Sequence, residues 1–234
     1  MKKLLIALFA LVPSLVLAAG GPKIEPTGID WTEQLKDQES LQRGLGYFQQ
    51  YCAACHSTQY QRYGRVAEDL GISVDEMRAN YIPTDAKIGE LMENAIPEKD
   101  AAKWFGAAPP DLTMVSRVRG EDWVYTYLNS FYQDPSRPFG ANNTVFPMVG
   151  MPHVLEELQG VPLLQEDGTI VATGGQLTPE EYQQVVKDLT AFLAYSAEPV
   201  RLERERLGYW VLGFLFIFFI FAFLLKKEYW KDVH

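Results

Sequence analysis

From Leu207 to Leu225 the chain reads LGYWVLGFLFIFFIFAFLL, 19 positions without a charge. As an α-helix this segment is about 28 Å long, enough to cross the hydrocarbon core of a bilayer. No polar residue interrupts it, which speaks against a buried core helix. Tyr209 and Trp210 stand near one end, Tyr229 and Trp230 beyond the other, where an interfacial aromatic belt belongs. A single membrane helix is therefore expected at 207–225, and whatever else the chain builds must fold on one side of it. Flanking charge does not orient the span: Arg201, Arg204 and Arg206 precede it, and Lys226, Lys227 and Lys231 follow it.

The N-terminus supplies the orientation. Lys2 and Lys3 precede a short apolar run, Leu4 to Val12, and Val16-Leu17-Ala18 offers small residues for cleavage. This pattern predicts a secretory signal peptide over residues 1–18. Residues 19–206 are then exported, and 226–234 form a cytoplasmic tail. The exported stretch holds 28 acidic and 16 basic residues, a net of −12. That balance excludes nucleic acid as a partner, because phosphate binding needs a basic face. It favours steering of a basic soluble protein, with Glu68-Asp69, Asp75-Glu76, Glu156-Glu157 and Glu166-Asp167 as candidate acidic pairs.

Periodicity places helices in the exported part. Leu41, Leu45 and Phe48 share helical spacing within 39–51, after a polar, extended lead-in over 22–38. Ser73 and Glu76 form a capping-box pattern that opens a short helix before Pro83. Residues 97–112 read as loop and the aromatic run 121–132 as helix. Residues 133–153, rich in Pro, Gly and Asn, read as a long irregular loop. Thr178-Pro179-Glu180-Glu181 is a strong helix start, followed by one apolar stripe of Tyr182, Val185, Val186, Leu189, Phe192 and Leu193. Strand signals are few, so the reading is mostly α.

The chemistry sits in Cys52-Ala53-Ala54-Cys55-His56, a C-x-x-C-H pattern and the c-type haem attachment motif. Two thiols add across the two vinyl groups of one haem, so they must face the ring together. The adjacent histidine then lies under the iron as proximal ligand. A zinc site needs further ligands, and the chain has no other Cys. A thioredoxin-like site lacks its βαβ setting. The sixth iron ligand stays open from the residues alone: Met77, Met92, Met114, Met148, Met151 and His153 are candidates, and His234 lies beyond the span. A Met ligand gives a high-potential electron carrier; an open site permits ligand binding or peroxide chemistry. A carrier for an oxidase or nitrate-reducing module, an open-site haem enzyme or sensor, and a purely structural anchor all remain compatible.

The order of motifs resembles the cytochrome c1 family, the haem-bearing subunit of the bc1 complex (ubiquinol–cytochrome c reductase), in a short bacterial form. The resemblance runs through R-G-x-x-Y-F-x-x-Y-C-x-x-C-H at Arg43 to His56, then Pro109-Pro110-Asp111-Leu112 and Arg117 to Trp123. It continues through Asn143 to Pro147, Gly150-Met151-Pro152, and Val186 to Pro199 before the anchor. It implies a mostly α, class I cytochrome c-like haem domain with long loops plus one C-terminal transmembrane helix. One haem c is implied, attached by two thioethers at Cys52 and Cys55, with His56 and Met151 as iron ligands. Pro110 and Leu112 are implied as haem-pocket wall. Arg119, with Arg117 as its neighbouring rival, is implied as a propionate partner. The implied function is one-electron transfer from a Rieske iron–sulfur protein to cytochrome c, with quinol oxidised elsewhere in the complex and no independent catalysis on this chain. Cytochrome b, membrane lipid and a dimeric complex are the further implied partners, in a bacterial inner membrane with the haem domain in the periplasm. The chain departs from the family at Trp123, where Tyr is common, and at His153, where Pro is often found.

Overall fold

The computed structural model describes residues 24–83 and 85–231; the expected signal peptide lies outside them. The lead-in is less extended than its composition suggests. Asp30 accepts from the backbone N–H groups of Thr32 and Glu33 and so starts a single turn, α1 (Trp31–Gln34). Asp37 does the same for Ser40 at the head of α2 (Gln38–Tyr47). This helix runs on into a π-helical turn, Phe48–Cys52, closed by a bond from the Ala53 N–H to the Phe48 carbonyl at 2.8 Å. Such wide turns are rare and cluster at functional sites. Here the turn ends on the first cysteine of the C-x-x-C-H segment.

A short strand β1 (Thr58–Arg62) leads to α3 (Tyr63–Asp69) and α4 (Val74–Asn80), the latter capped by Ser73 accepting from the Glu76 N–H. β1 pairs antiparallel with β2 (Leu91–Met92). The stretch expected as loop over 97–112 contains α5 (Glu98–Phe105). Good helix formers follow Pro97, Glu98 and Asp100 lie at the positive end of the dipole, and Gly106 at φ +81° ends it. Next come α6 (Val115–Arg119) and α7 (Glu121–Leu128). The aromatic run leaves the helix at Asn129 and continues as β3 (Phe131–Gln133), paired antiparallel with β4 (Ala141–Asn143). Its β-favouring aromatics thus serve two elements in succession. α8 (Glu156–Gln159) precedes a hairpin of β5 (Gly160–Leu164) and β6 (Ile170–Gly174).

The predicted capping box is formed: Thr178 and Glu181 bond reciprocally at the head of α9 (Pro179–Ala197). All six residues of the expected stripe are buried. α9 packs on α2 at a crossing with no space for a side chain. A Cβ on Gly44 would stand 2.1 Å from the Asp188 carbonyl oxygen and 2.8 Å from the Phe192 Cβ. Phe48 and Phe192 pack beside it with ring centroids 5.4 Å apart. Asp188, itself 1% exposed, accepts from Ser40 Oγ at 2.6 Å, Arg43 Nε at 2.6 Å and Gln184 Nε2 at 2.8 Å. A buried carboxylate is tolerable only when satisfied in this way.

After Glu198-Pro199-Val200 the chain enters α10 (Arg201–Tyr229), which contains the whole apolar segment and extends into the tail at Lys226 to Tyr229. Its apolar residues are not covered by the rest of the protein. Its first turn is fastened to the domain. Arg201 meets Glu121 at 2.6 Å and Thr32 Oγ1 at 3.2 Å; Glu198 binds Arg117 at 2.7 Å and also Arg204.

Two outcomes follow from these contacts. Gly44→Ala is expected to lower stability by about 1–3 kcal/mol, read as a lower thermal midpoint of the detergent-solubilised chain. The second concerns Glu198, whose carboxyl is held below its usual range chiefly by its hydrogen bond to Arg204. Stability from a depressed carboxylate is present above the unfolded pKa and lost as pH falls through the folded one. The decline in stability between about pH 5 and pH 3 should therefore be shallower in Glu198→Gln than in the parent chain.

Candidate haem-binding site

The C-x-x-C-H segment folds into a tight turn directly after the π-helical turn. The N–H groups of Cys55 and His56 both donate to the Cys52 carbonyl, at 3.0 and 2.8 Å. Cys52 is buried and Cys55 half-buried. Burial pushes the Cys52 thiol of the unmodified chain up to about 12.

The Pro109 to Leu112 segment lies against this turn. His56 Nδ1 is 2.7 Å from the Pro110 carbonyl oxygen. A carbonyl only accepts, so Nδ1 carries the proton and Nε2 keeps its lone pair. Burial also lowers the His56 pKa, which favours this neutral ring. The Leu112 N–H donates to the Ser57 carbonyl at 2.8 Å, and Asp111 accepts from the Gln59 N–H at 2.8 Å. Asn94, not singled out from the sequence, donates to the Cys55 carbonyl at 3.1 Å and to Ser57 Oγ at 2.9 Å. Pro110 itself is exposed, whereas Leu112 is half-buried and packs against the main core, to which Cys52 belongs.

The six candidates for a second iron ligand are sorted by their surroundings. Met77 and Met92 belong to the core. Met114 and Met148 are exposed. His153 is buried, its ring stacked on Phe131 at 5.0 Å and its Nε2 2.7 Å from Gln159 Oε1. Met151 is half-buried in an apolar nest of Phe131, Ala141, Val149 and Tyr127, with the Tyr127 hydroxyl 3.4 Å from its sulfur. Tyr127 packs on the main core as well, and so joins the Met151 nest to the core that holds Cys52.

The loop that carries Met151 is irregular, as expected, yet tightly bonded. Asn143, 1% exposed, accepts from the Val145 and Phe146 N–H groups at 2.9 and 3.0 Å and donates to the Tyr127 carbonyl at 2.8 Å. Asn142 accepts from the Met148 N–H, which holds Met148 at φ +65°. Arg137 donates to the Met148 and Val149 carbonyls at 2.9 and 3.3 Å. Arg137 and Asn142 escaped the sequence reading, and Asn143 entered it only as the start of the Asn143 to Pro147 motif, because nothing in the local pattern marks a loop's hydrogen-bond hub. The two arginines on α6 divide clearly. Arg117 is paired to Glu198, whereas Arg119 makes no ion pair among the described residues and lies over the Trp123 ring at 5.1 Å.

A family model described as the Cytochrome C1 family matches residues 31–233. The chain belongs to the cytochrome c1 family. It is similar to cytochrome c1 of Allochromatium vinosum, 52% identical over the full length of both chains. It is also similar to a protein named ammonia monooxygenase gamma subunit in Nitrosomonas europaea, 44% identical over all of this chain and 99% of that one. Cytochrome c1 of Blastochloris viridis is 29% identical over 84% of this chain and 82% of its own. As a member of that family the chain carries a single, covalently attached haem c and serves electron transfer in the bc1 complex. The Cys52–His56 turn fits that group: two cysteines in one tight turn, followed by a histidine whose Nδ1 is held by the Pro110 carbonyl.

The Met151 loop depends on Asn143. Asn143→Ala removes the acceptor of the buried Val145 N–H and the part-buried Phe146 N–H, and one of the donors to the Tyr127 carbonyl, which keeps the Ser130 N–H. A loss of about 2–4 kcal/mol is expected, measurable by chemical denaturation of the solubilised chain.

Proposed function

We propose that Cys52 and Cys55 hold the haem through thioethers, that His56 is its proximal ligand and that Met151 is its sixth. The observation that carries this reading is the Pro110 carbonyl bond, which engages His56 Nδ1 and leaves Nε2 without a partner among the described residues. Haem c, once attached, supplies a one-electron couple, raised in potential by a Met ligand. The chain's own residues hold, orient and shield. Pro110 fixes the imidazole tautomer through its carbonyl, Leu112 contributes apolar wall, and the Asn143 network shapes the Met151 loop. Arg119, without a carboxylate partner among the described residues, is the cation suited to a propionate; Arg117 is already committed to Glu198.

In this reading the electron comes from a Rieske iron–sulfur protein and leaves to a cytochrome c, and α10 packs on cytochrome b within a dimeric complex. Quinol is oxidised on those other subunits, so this chain is the non-quinol-site subunit of the oxidoreductase. Residues 1–18 are removed on export, 19–206 lie in the periplasm and 226–234 in the cytoplasm of a bacterial inner membrane. The acidity of the exported part supports a basic acceptor.

Purification of the tagged chain in mild detergent tests the assembly. Co-purifying b-type haem and an iron–sulfur protein, with quinol-dependent reduction of cytochrome c, are the expected results. A c-type haem alone, or one accompanied by oxidase subunits, overturns the reading. For the ligand, Met151→Leu should keep covalent haem yet lower its midpoint potential by on the order of 0.1 V or more. An unchanged midpoint removes Met151 from the iron.

A further inference from the structure

Tyr127 is held from several directions. It lies one helical turn beyond Trp123, and the two rings stack at 4.9 Å and 9°. Its edge meets Phe131 at 5.1 Å and 71°, and Phe131 in turn stacks on His153. Its backbone carbonyl is bonded to Asn143. These contacts leave the ring little freedom and deliver the hydroxyl to one place, 3.4 Å from Met151 Sδ. Among the described residues the hydroxyl has no other partner. A thioether sulfur only accepts, so the hydroxyl is the donor in this contact. A phenylalanine would fill the same space without the cost of burying a hydroxyl. A hydroxyl placed here therefore points to a use for the hydrogen bond itself.

We propose that Tyr127 is a positioning residue for the electron-transfer centre: its hydroxyl donates to the Met151 sulfur, orients that thioether and raises the midpoint potential. The inference rests on Met151 as the sixth ligand. A thioether sulfur has two lone pairs, and occupying one with a proton donor directs the other. The donated bond also draws electron density from the sulfur. A poorer donor stabilises the ferric state less, so the reduced state is favoured. Hydrogen bonding around the ligands is one of the levers by which a protein sets a haem potential. The geometry ties the lever to the rest of the site, because the stack that fixes Tyr127 runs through Trp123 to the guanidinium of Arg119.

The test is a redox titration of the c-type haem in the complex purified from membranes. Tyr127→Phe removes one atom and keeps the ring and its packing. At a fixed ambient potential its reduced-to-oxidised ratio is expected to fall about three- to tenfold, a drop of about 30–60 mV for a one-electron couple. The long-wavelength absorption band of sulfur-ligated ferric haem should persist. Tyr125→Phe, on the same helix with its ring against Trp31, should leave the midpoint in place. Met151→Leu, run alongside, separates the two readings. If it keeps the sulfur band, the ligand assignment fails and this inference falls with it. If it loses the band while Tyr127→Phe titrates like the parent, the ligand assignment stands and the role of Tyr127 alone is overturned.

Discussion

Gly44 lies directly under the backbone of Asp188, and the Asp188 carboxylate is buried against Ser40, Arg43 and Gln184. The two helices approach so closely because glycine removes the side chain that would separate them. The buried charge is bearable because every neighbour that reaches it is a donor. From this crossing the rest of the site is laid out. α2 leaves it towards Phe48 and Cys52, so the C-x-x-C-H turn starts at a position set by the α2–α9 contact. α9 leaves it towards Glu198, where the anchor helix begins.

The parts of this arrangement that the residues announce are those with a local cause. The Thr178–Glu181 box, the Ser73 cap and the helix through the uncharged run each follow from groups close in sequence; the box forms in full, Ser73 accepts from the Glu76 N–H as one half of a box, and the helix continues past the run at both ends. The C-x-x-C-H motif names its chemistry for the same reason. What escaped has causes distant in sequence or ambiguous in pattern. Asp30 and Asp37 start helices inside a stretch rich in Pro and Gly. The helix at Glu98–Phe105 hides between prolines. The aromatic run after Glu121 suits helix and strand alike, and only pairing with Ala141–Asn143 decides where one gives way to the other.

The same division holds within the site. His56 is legible from the motif, but its Pro110 partner is 54 positions away and is visible only in the folded chain. Arg117 and Arg119 look equivalent in sequence; Glu198, far along the chain, separates them by engaging one. The membership of the cytochrome c1 family, shown by the match over residues 31–233, supplies the haem and the complex. The geometry supplies the reasons why particular side chains suit them.

The junction between domain and anchor has a mechanical consequence. Only Glu198, Pro199 and Val200 separate α9 from α10, and Arg201, Arg204 and Arg117 bind both sides of the joint. A joint that short, ion-paired on each side, couples the haem domain to its anchor as a strut rather than a leash.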